Sequence, residues 1–230
     1  MEVSGFRLRA ASGILGPLAF TGAWVAGSLR QVGHSMAEVQ LSGLAAADAR
    51  DPGIMIAGFV LLGGCAVVFG SAVEEALGGR GRAGPSPRVI RASGAAMVAA
   101  GLLRRDRMLL DPPAVAMAAS WHNQLHDLAS AAAYGAAIVA PLLLARRLGG
   151  DPELAALRRP LLASGLATAA VMALFVSPAL APWAGIVQRV LVTIPLAGMV
   201  AVACRLLAVG DGSGGRRPVQ RIGWEDATGA

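Results

Sequence analysis

The chain has 230 residues, 55% of them hydrophobic and only 15% charged, with 30 glycines and 4% aromatics; its mean hydropathy of +0.60 is far too high for a water-soluble domain of this size. Disorder, collagen and a disulfide-stapled scaffold are excluded, and Cys65 and Cys204 each stand alone in an apolar run with no CxxC pair. The net charge of +6 comes from twenty arginines and no lysine, set in short clusters between apolar stretches, a pattern that fits membrane insertion and argues against a nucleic-acid partner.

A helix crossing a hydrocarbon core of about 30 Å needs about 20 mostly apolar residues, because only a helix satisfies its own backbone there. Six stretches qualify, predicting an all-α bundle of six membrane-spanning helices. The first, Ala10 to Leu29, follows Arg7 and Arg9 in the manner of a signal peptide, but its apolar run is longer than a typical h-region and reads as a retained helix. The second, Pro52 to Val73, carries Gly58, Gly63, Gly64 and Gly70, small residues that permit close helix contact, and ends at Glu74-Glu75, expected to pair with neighbouring arginines. The third, Ser86 to Leu103, is short and carries Arg91 near one end. A long fourth stretch runs from Ala114 to Ala145, a fifth from Pro160 to Pro182 and a sixth from Ala184 to Leu207. Residues 210–230, Gly-rich and basic, read as a flexible cytoplasmic tail behind a transmembrane domain of residues 1–209.

Six spans divide the loops into two sets. Arg30, Arg50, Arg104, Arg105, Arg107 and Arg189 fall in one set, and the other fourteen arginines fall in the set that includes both ends of the sequence. The excess places both termini in the cytoplasm of a multi-pass protein, expected in a bacterial cytoplasmic membrane. All three histidines, His34, His122 and His126, then lie at the outer side.

The densest polar segment is Trp121-His122-Asn123-Gln124-Leu125-His126-Asp127. On a helix, His122 and His126 are one turn apart on one face, and Ser130 and Tyr134 continue that stripe inward. Two such imidazoles can share a Zn²⁺ ion, but no glutamate stands between them as in HExxH, so His122 and His126 are weak metal candidates and no metal or cofactor is implied. Arg189 lies about a turn inside the sixth span, where an unpaired guanidinium costs roughly 2.5 kcal/mol or more. At a matching depth, Asp127 is its expected partner, with Pro195 bending the helix to open room beside the pair. The outer loops, residues 30–51 and 104–120, have the composition of a polar cap over the bundle.

The order of features resembles the bacterial domain-of-unknown-function family numbered 998, six-helix integral membrane proteins. The matching pieces are Asp51-Pro52-Gly53 at the start of the second helix, Gly101-Leu-Leu-Arg-Arg-Asp106 after the third, His126-Asp127 opening the fourth and Gly185-Ile-Val-Gln-Arg189 opening the sixth, over about residues 10 to 208. The double Pro112-Pro113 and the extra arginines around Asp106 depart from that pattern. The resemblance implies a six-helix membrane bundle and defines no activity.

The functional expectation is a protein that recognises a lipid or small amphiphile through His34, His122, Asn123, His126, Asp127, Tyr134, Gln188 and Arg189, with membrane lipids as partners and the oligomeric state undefined. The alternative is a membrane-embedded enzyme acting on a lipid or isoprenoid, cyclase-like, with Asp127 as general acid and His126 beside it. A transporter needs polar residues at the midplane, where this chain has almost none beyond hydroxyls such as Thr168 and Thr193.

Overall fold

The computed structural model describes residues 2–78, 84–108, 119–148, 150–151 and 153–213. Their backbone is helical: α1 (Glu2–Arg30), α2 (Pro52–Gly78), α3 (Ser86–Leu102), α4 (Trp121–Leu148), α5 (Arg158–Phe175) and α6 (Ala184–Ser213), with short 3-10 turns at Leu41–Ala45, Ala155–Leu157 and Pro178–Trp183. Each helix packs on its neighbours in sequence, and α6 closes on α1, so the six form an up-and-down ring. Five of the helices are long and apolar enough to cross a membrane. The sixth, α3, has 17 residues, about 26 Å at 1.5 Å per residue, somewhat less than the roughly 30 Å of a bilayer core. It nevertheless takes its place in the ring, which preserves the alternation.

Two buried clusters hold the ring at its two ends. One joins Ala10 of α1, Phe69 and Val73 of α2, Leu144 of α4, Leu161 of α5 and Ala203 of α6, so the start of α1 and the end of α6 share one end of the bundle. The other joins Phe20, Met55, Phe59 and Val192 to Leu41 and Leu44 of the first outer loop. At the first end, Glu75 pairs with Arg9 and Glu74 with Arg91, as their neighbourhood predicts. α2 and α3 meet in backbone contact: a Cβ at Gly63 would stand 2.4 Å from the Gly94 carbonyl oxygen, and one at Gly94 would stand 2.5 Å from that of Gly63. Gly64, expected to share this role, has nothing within 4 Å of its Cβ position and lies outside the contact.

Helix ends differ from the expected spans, which α1 overruns from Glu2 and α2 overruns to Gly78. The fourth helix begins at Trp121, where Ser120 caps it, and residues 114–118 of the stretch expected for it lie outside the described residues. The Ser120 hydroxyl oxygen accepts from the Asn123 amide at 3.2 Å and the hydroxyl donates to Asp106 at 2.7 Å; Asp111, Pro112 and Pro113 lie outside the described residues. The fifth ends at Phe175 and not at Pro182, since Pro178 disfavours helix at the residue before it and the chain turns through Pro178–Trp183. The sixth continues to Ser213, and the expected tail beyond it lies outside the described residues.

Pro141 and Pro195, inside α4 and α6, face a cavity of about 130 Å³ in the middle of the ring. Pro195 therefore opens room in the bundle interior and not beside the outer charges.

Candidate functional site

The outer end is built on two arginines. Arg105, just past α3, donates from Nε to Asn123 Oδ1 at 3.3 Å, from Nη1 to Gln40 Oε1 and Ser42 Oγ at 3.1 Å each, and meets Asp127 Oδ1 at 3.0 Å through Nη2. It thus ties both outer loops to α4. The Asn123 carboxamide completes the group by donating to Asp127 Oδ2 at 3.0 Å. Backbone bonds reinforce the cap: the Met108 amide donates to Asp48 at 3.0 Å and the Ala47 amide to the Arg105 carbonyl at 3.1 Å. The Ser120 amide, and after it the Ser120 hydroxyl, hold the Asp106 carboxyl below the usual carboxylate range, so the clasp at the start of α4 stays ionised at ordinary pH.

Arg189 has a different environment from the one its depth predicts. Its partner is not Asp127, which Arg105 takes. Nη1 donates to the carbonyls of Met36, Val39 and Gly185 at 2.8–3.0 Å, Nη2 reaches Ser28 Oγ at 3.5 Å and His34 Nε2 at 3.3 Å, and the guanidinium carbon lies 5.3 Å from the Trp24 ring centroid. Carbonyl dipoles and a π face thus replace a carboxylate as the compensation for a buried cation. Gly185 makes this geometry available, because a Cβ there would stand 2.5 Å from the Val39 oxygen and 2.6 Å from that of Met36. The Ile186 amide donates to Ala37 at 3.1 Å, so the loop also satisfies an N–H left open at the start of α6.

A guanidinium only donates, so His34 Nε2 accepts and the ring is neutral, with its proton on Nδ1. Burial first, and the Arg189 charge second, hold the imidazole below its ordinary value. In the unfolded chain it titrates near 6.5, so the unfolded state takes up the proton first, and the contact is at full strength above about pH 6.5 and weakens below it. Protection of the Leu41 amide, corrected for intrinsic exchange rates, is expected to fall as pH drops from about 6.5 to 5. In His34→Gln, whose side-chain oxygen accepts at every pH, it should not. Equal pH responses in the two proteins would refute the mechanism.

The histidines of α4 part company. His126 is buried and points Nδ1 at the carbonyls of Ala100 and Leu103, 2.8 and 2.9 Å away; both partners are acceptors, so Nδ1 carries the hydrogen and closes the C-terminal end of α3. His122 is exposed and stacks on Trp121 with centroids 3.5 Å apart. The two rings do not converge on a common point, and among the described residues no three His, Cys, Asp or Glu side chains come together as metal ligands.

Tyr134 and Gln188 connect this cap to the interior. Gln188 is buried; its Oε1 accepts from the Leu41 amide at 2.6 Å, while its Nε2 donates to the Tyr134 hydroxyl at 2.9 Å. Tyr134 in turn lines the central cavity together with Phe20, Met97, Ala137, Val192 and Leu196, among others. Asp127 and His126 do not line it. Asp127 has a side chain 53% exposed and paired with Arg105, so the acid named for the cyclase-like alternative lies outside the apolar space.

The model of a family of proteins of unknown function, DUF998, matches residues 14–205, most of the chain. The chain belongs to this family. No curated protein and no solved structure matches it. Within this DUF998 protein, the stretch Gly185-Ile-Val-Gln-Arg189 concentrates the site: Gly185 admits the loop carbonyls, Arg189 binds them, and Gln188 joins the loop to Tyr134. Trp24 and Ser28 join the site although the sequence reading gave them no place in it, while Gln40, Ser42 and Arg105 come from the loops read as a polar cap and Gly185 from the motif that opens the sixth helix. For Arg105 a signal existed: it lies just past the helix that precedes the one bearing Asp127, so it is much nearer along the chain than Arg189.

Proposed function

We propose that this multi-pass membrane protein recognises a lipid or small amphiphile from the outer end of its helix ring, the polar cap receiving the head and the central cavity part of the tail. The observation that carries this reading is the position of Tyr134, whose ring walls an apolar cavity while its hydroxyl belongs to the outer hydrogen-bonded network. Apolar cavities of about 150 Å³ stay dry and take a guest the size of benzene, so about 130 Å³ accommodates a short length of acyl or isoprenoid chain. The surrounding bilayer supplies such molecules directly. The arginine bias and the family resemblance support a bacterial cytoplasmic membrane with both termini inside, and no cofactor enters the reading.

Ala137→Phe, which places a ring in the cavity, is expected to reduce the lipid retained by the gently solubilised protein at least about fivefold, a loss of roughly 1 kcal/mol, when measured by native mass spectrometry. Leu128→Phe on the exposed face of α4 should leave retention unchanged. Equal retention in both variants would remove the cavity from the function.

A further inference from the structure

A second pocket, of about 480 Å³, opens at the outer end between the first outer loop and the turn that follows α5. Its walls include Glu38, Gln40, Met108, Phe175 and Ser177. It adjoins the central cavity through one aromatic pair: the Phe175 ring in its wall is 6.3 Å from the Tyr134 ring, which walls the cavity. The same loop is held to that pair by Gln188, which accepts from Leu41 and donates to Tyr134. The two spaces are thus separated by a single aromatic contact, with a polar mouth on one side and an apolar interior on the other.

The charges around the mouth are arranged unevenly. Glu38 is the only charged residue in its described wall, and its side chain is exposed. The guanidiniums of Arg105 and Arg189 are committed elsewhere, that of Arg105 to Gln40, Ser42, Asn123 and Asp127 and that of Arg189 to loop carbonyls, and that of Arg107, next to Met108, is not among the wall residues. The Gln40 oxygen is likewise occupied by Arg105. A phosphate or carboxylate head would meet a carboxylate of its own sign with no guanidinium among the described wall residues, whereas an N–H or O–H donor would find an acceptor.

On the basis of the function proposed above, we infer that this pocket is the headgroup subsite and that it selects single-chain amphiphiles whose head donates hydrogen bonds and carries no negative charge, an ammonium or a polyol. The tail enters the cavity by parting the Phe175 and Tyr134 rings, which are in contact at 6.3 Å between centroids. Glu38 sets the selectivity and the cavity supplies the affinity.

The test uses the full chain in nanodiscs of zwitterionic phospholipid equilibrated separately with dodecylamine, 1-O-dodecylglycerol and dodecyl phosphate, the bound probe being counted by native mass spectrometry. Dodecylamine, dodecylglycerol or both should be retained at least about tenfold over dodecyl phosphate, and Glu38→Gln, a change at an exposed position, should bring that ratio within about threefold. Suppression of dodecylamine retention by salt marks the ammonium as the preferred head; indifference to salt marks the polyol. Dodecyl phosphate retained as well as the others, or a ratio that Glu38→Gln leaves unchanged, would overturn the inference. If all three probes are retained equally and Ala137→Phe abolishes retention, the cavity reading stands and the headgroup inference falls. If Ala137→Phe retains every probe as the parent does, the cavity reading falls as well.

Discussion

Gly63→Ala is expected to destabilise the bundle by about 3 kcal/mol, the upper range for overpacking a close contact, while Gly64→Ala one residue along is neutral or stabilising by up to about 1 kcal/mol through helix propensity. The two positions share a helix, a residue type and a hydrophobic environment, so propensity and transfer energy predict the same outcome for both. They differ in what lies opposite. A methyl at Gly63 meets the Gly94 carbonyl oxygen at 2.4 Å and the Val98 amide nitrogen at 2.8 Å, both backbone atoms that cannot rotate away, whereas one at Gly64 meets nothing within 4 Å. The helices must move apart, which also strains the adjoining contact of Gly101 with Phe59. Thermal unfolding in detergent, with a shift of roughly 2–4 °C per kcal/mol for a chain of this size, separates the two variants. Equal shifts would show that α2 and α3 are not in backbone contact there.

Arg189→Met is expected to release residues 36–39 from α6 and to cost about 3 kcal/mol, because several buried acceptors lose their donor together. The substitution keeps an apolar stem of similar length, so the loss reports the guanidinium. The Leu41 and Ile186 amides, which bond to Gln188 and Ala37, should exchange faster, while amides of the opposite end, such as Ala155, bonded to Asp151, should keep their protection. Gly185→Ala provides an independent route to the same state: it leaves Arg189 in place but pushes the Met36, Ala37 and Val39 carbonyls outward. Both variants should therefore show the same pattern of exchange. If Arg189→Met instead left the loop protected, the guanidinium would be a passenger at the interface and the cap would owe its order to Arg105 alone.

Much of the architecture was legible because it depends on properties that add along the chain. Runs of apolar residues mark the helices, and α1, α2 and α6 contain the stretches read for them, with ends extended by a few turns at most. Helix ends were legible only where the terminating signal is local. The start of α4 escaped because its cap, Ser120, is held by Asp106 across the second outer loop, and a hydropathy profile does not register a partner fourteen residues away. Within the site, the reading put His34, Tyr134, Gln188 and Arg189 at one end because depth follows from position along a span, and the structure joins Arg189 to His34 and Gln188 to Tyr134. It misassigned the ion pair for the same reason: depth says which residues share a level of the membrane, not which share a side of the ring.

Hydropathy and the arginine distribution, each summed residue by residue against a fixed solvent, were sufficient for the helical membrane bundle, its alternation and the concentration of polar groups at its outer end. Tertiary structure alone decided that Asp127 answers Arg105, that Arg189 is held by carbonyls admitted by Gly185, and that Tyr134 stands between a polar cap and an apolar cavity. Those choices depend on the angular order of the helices around the ring and on approaches within a few ångströms, where sterics and hydrogen-bond direction act between residues far apart in the chain.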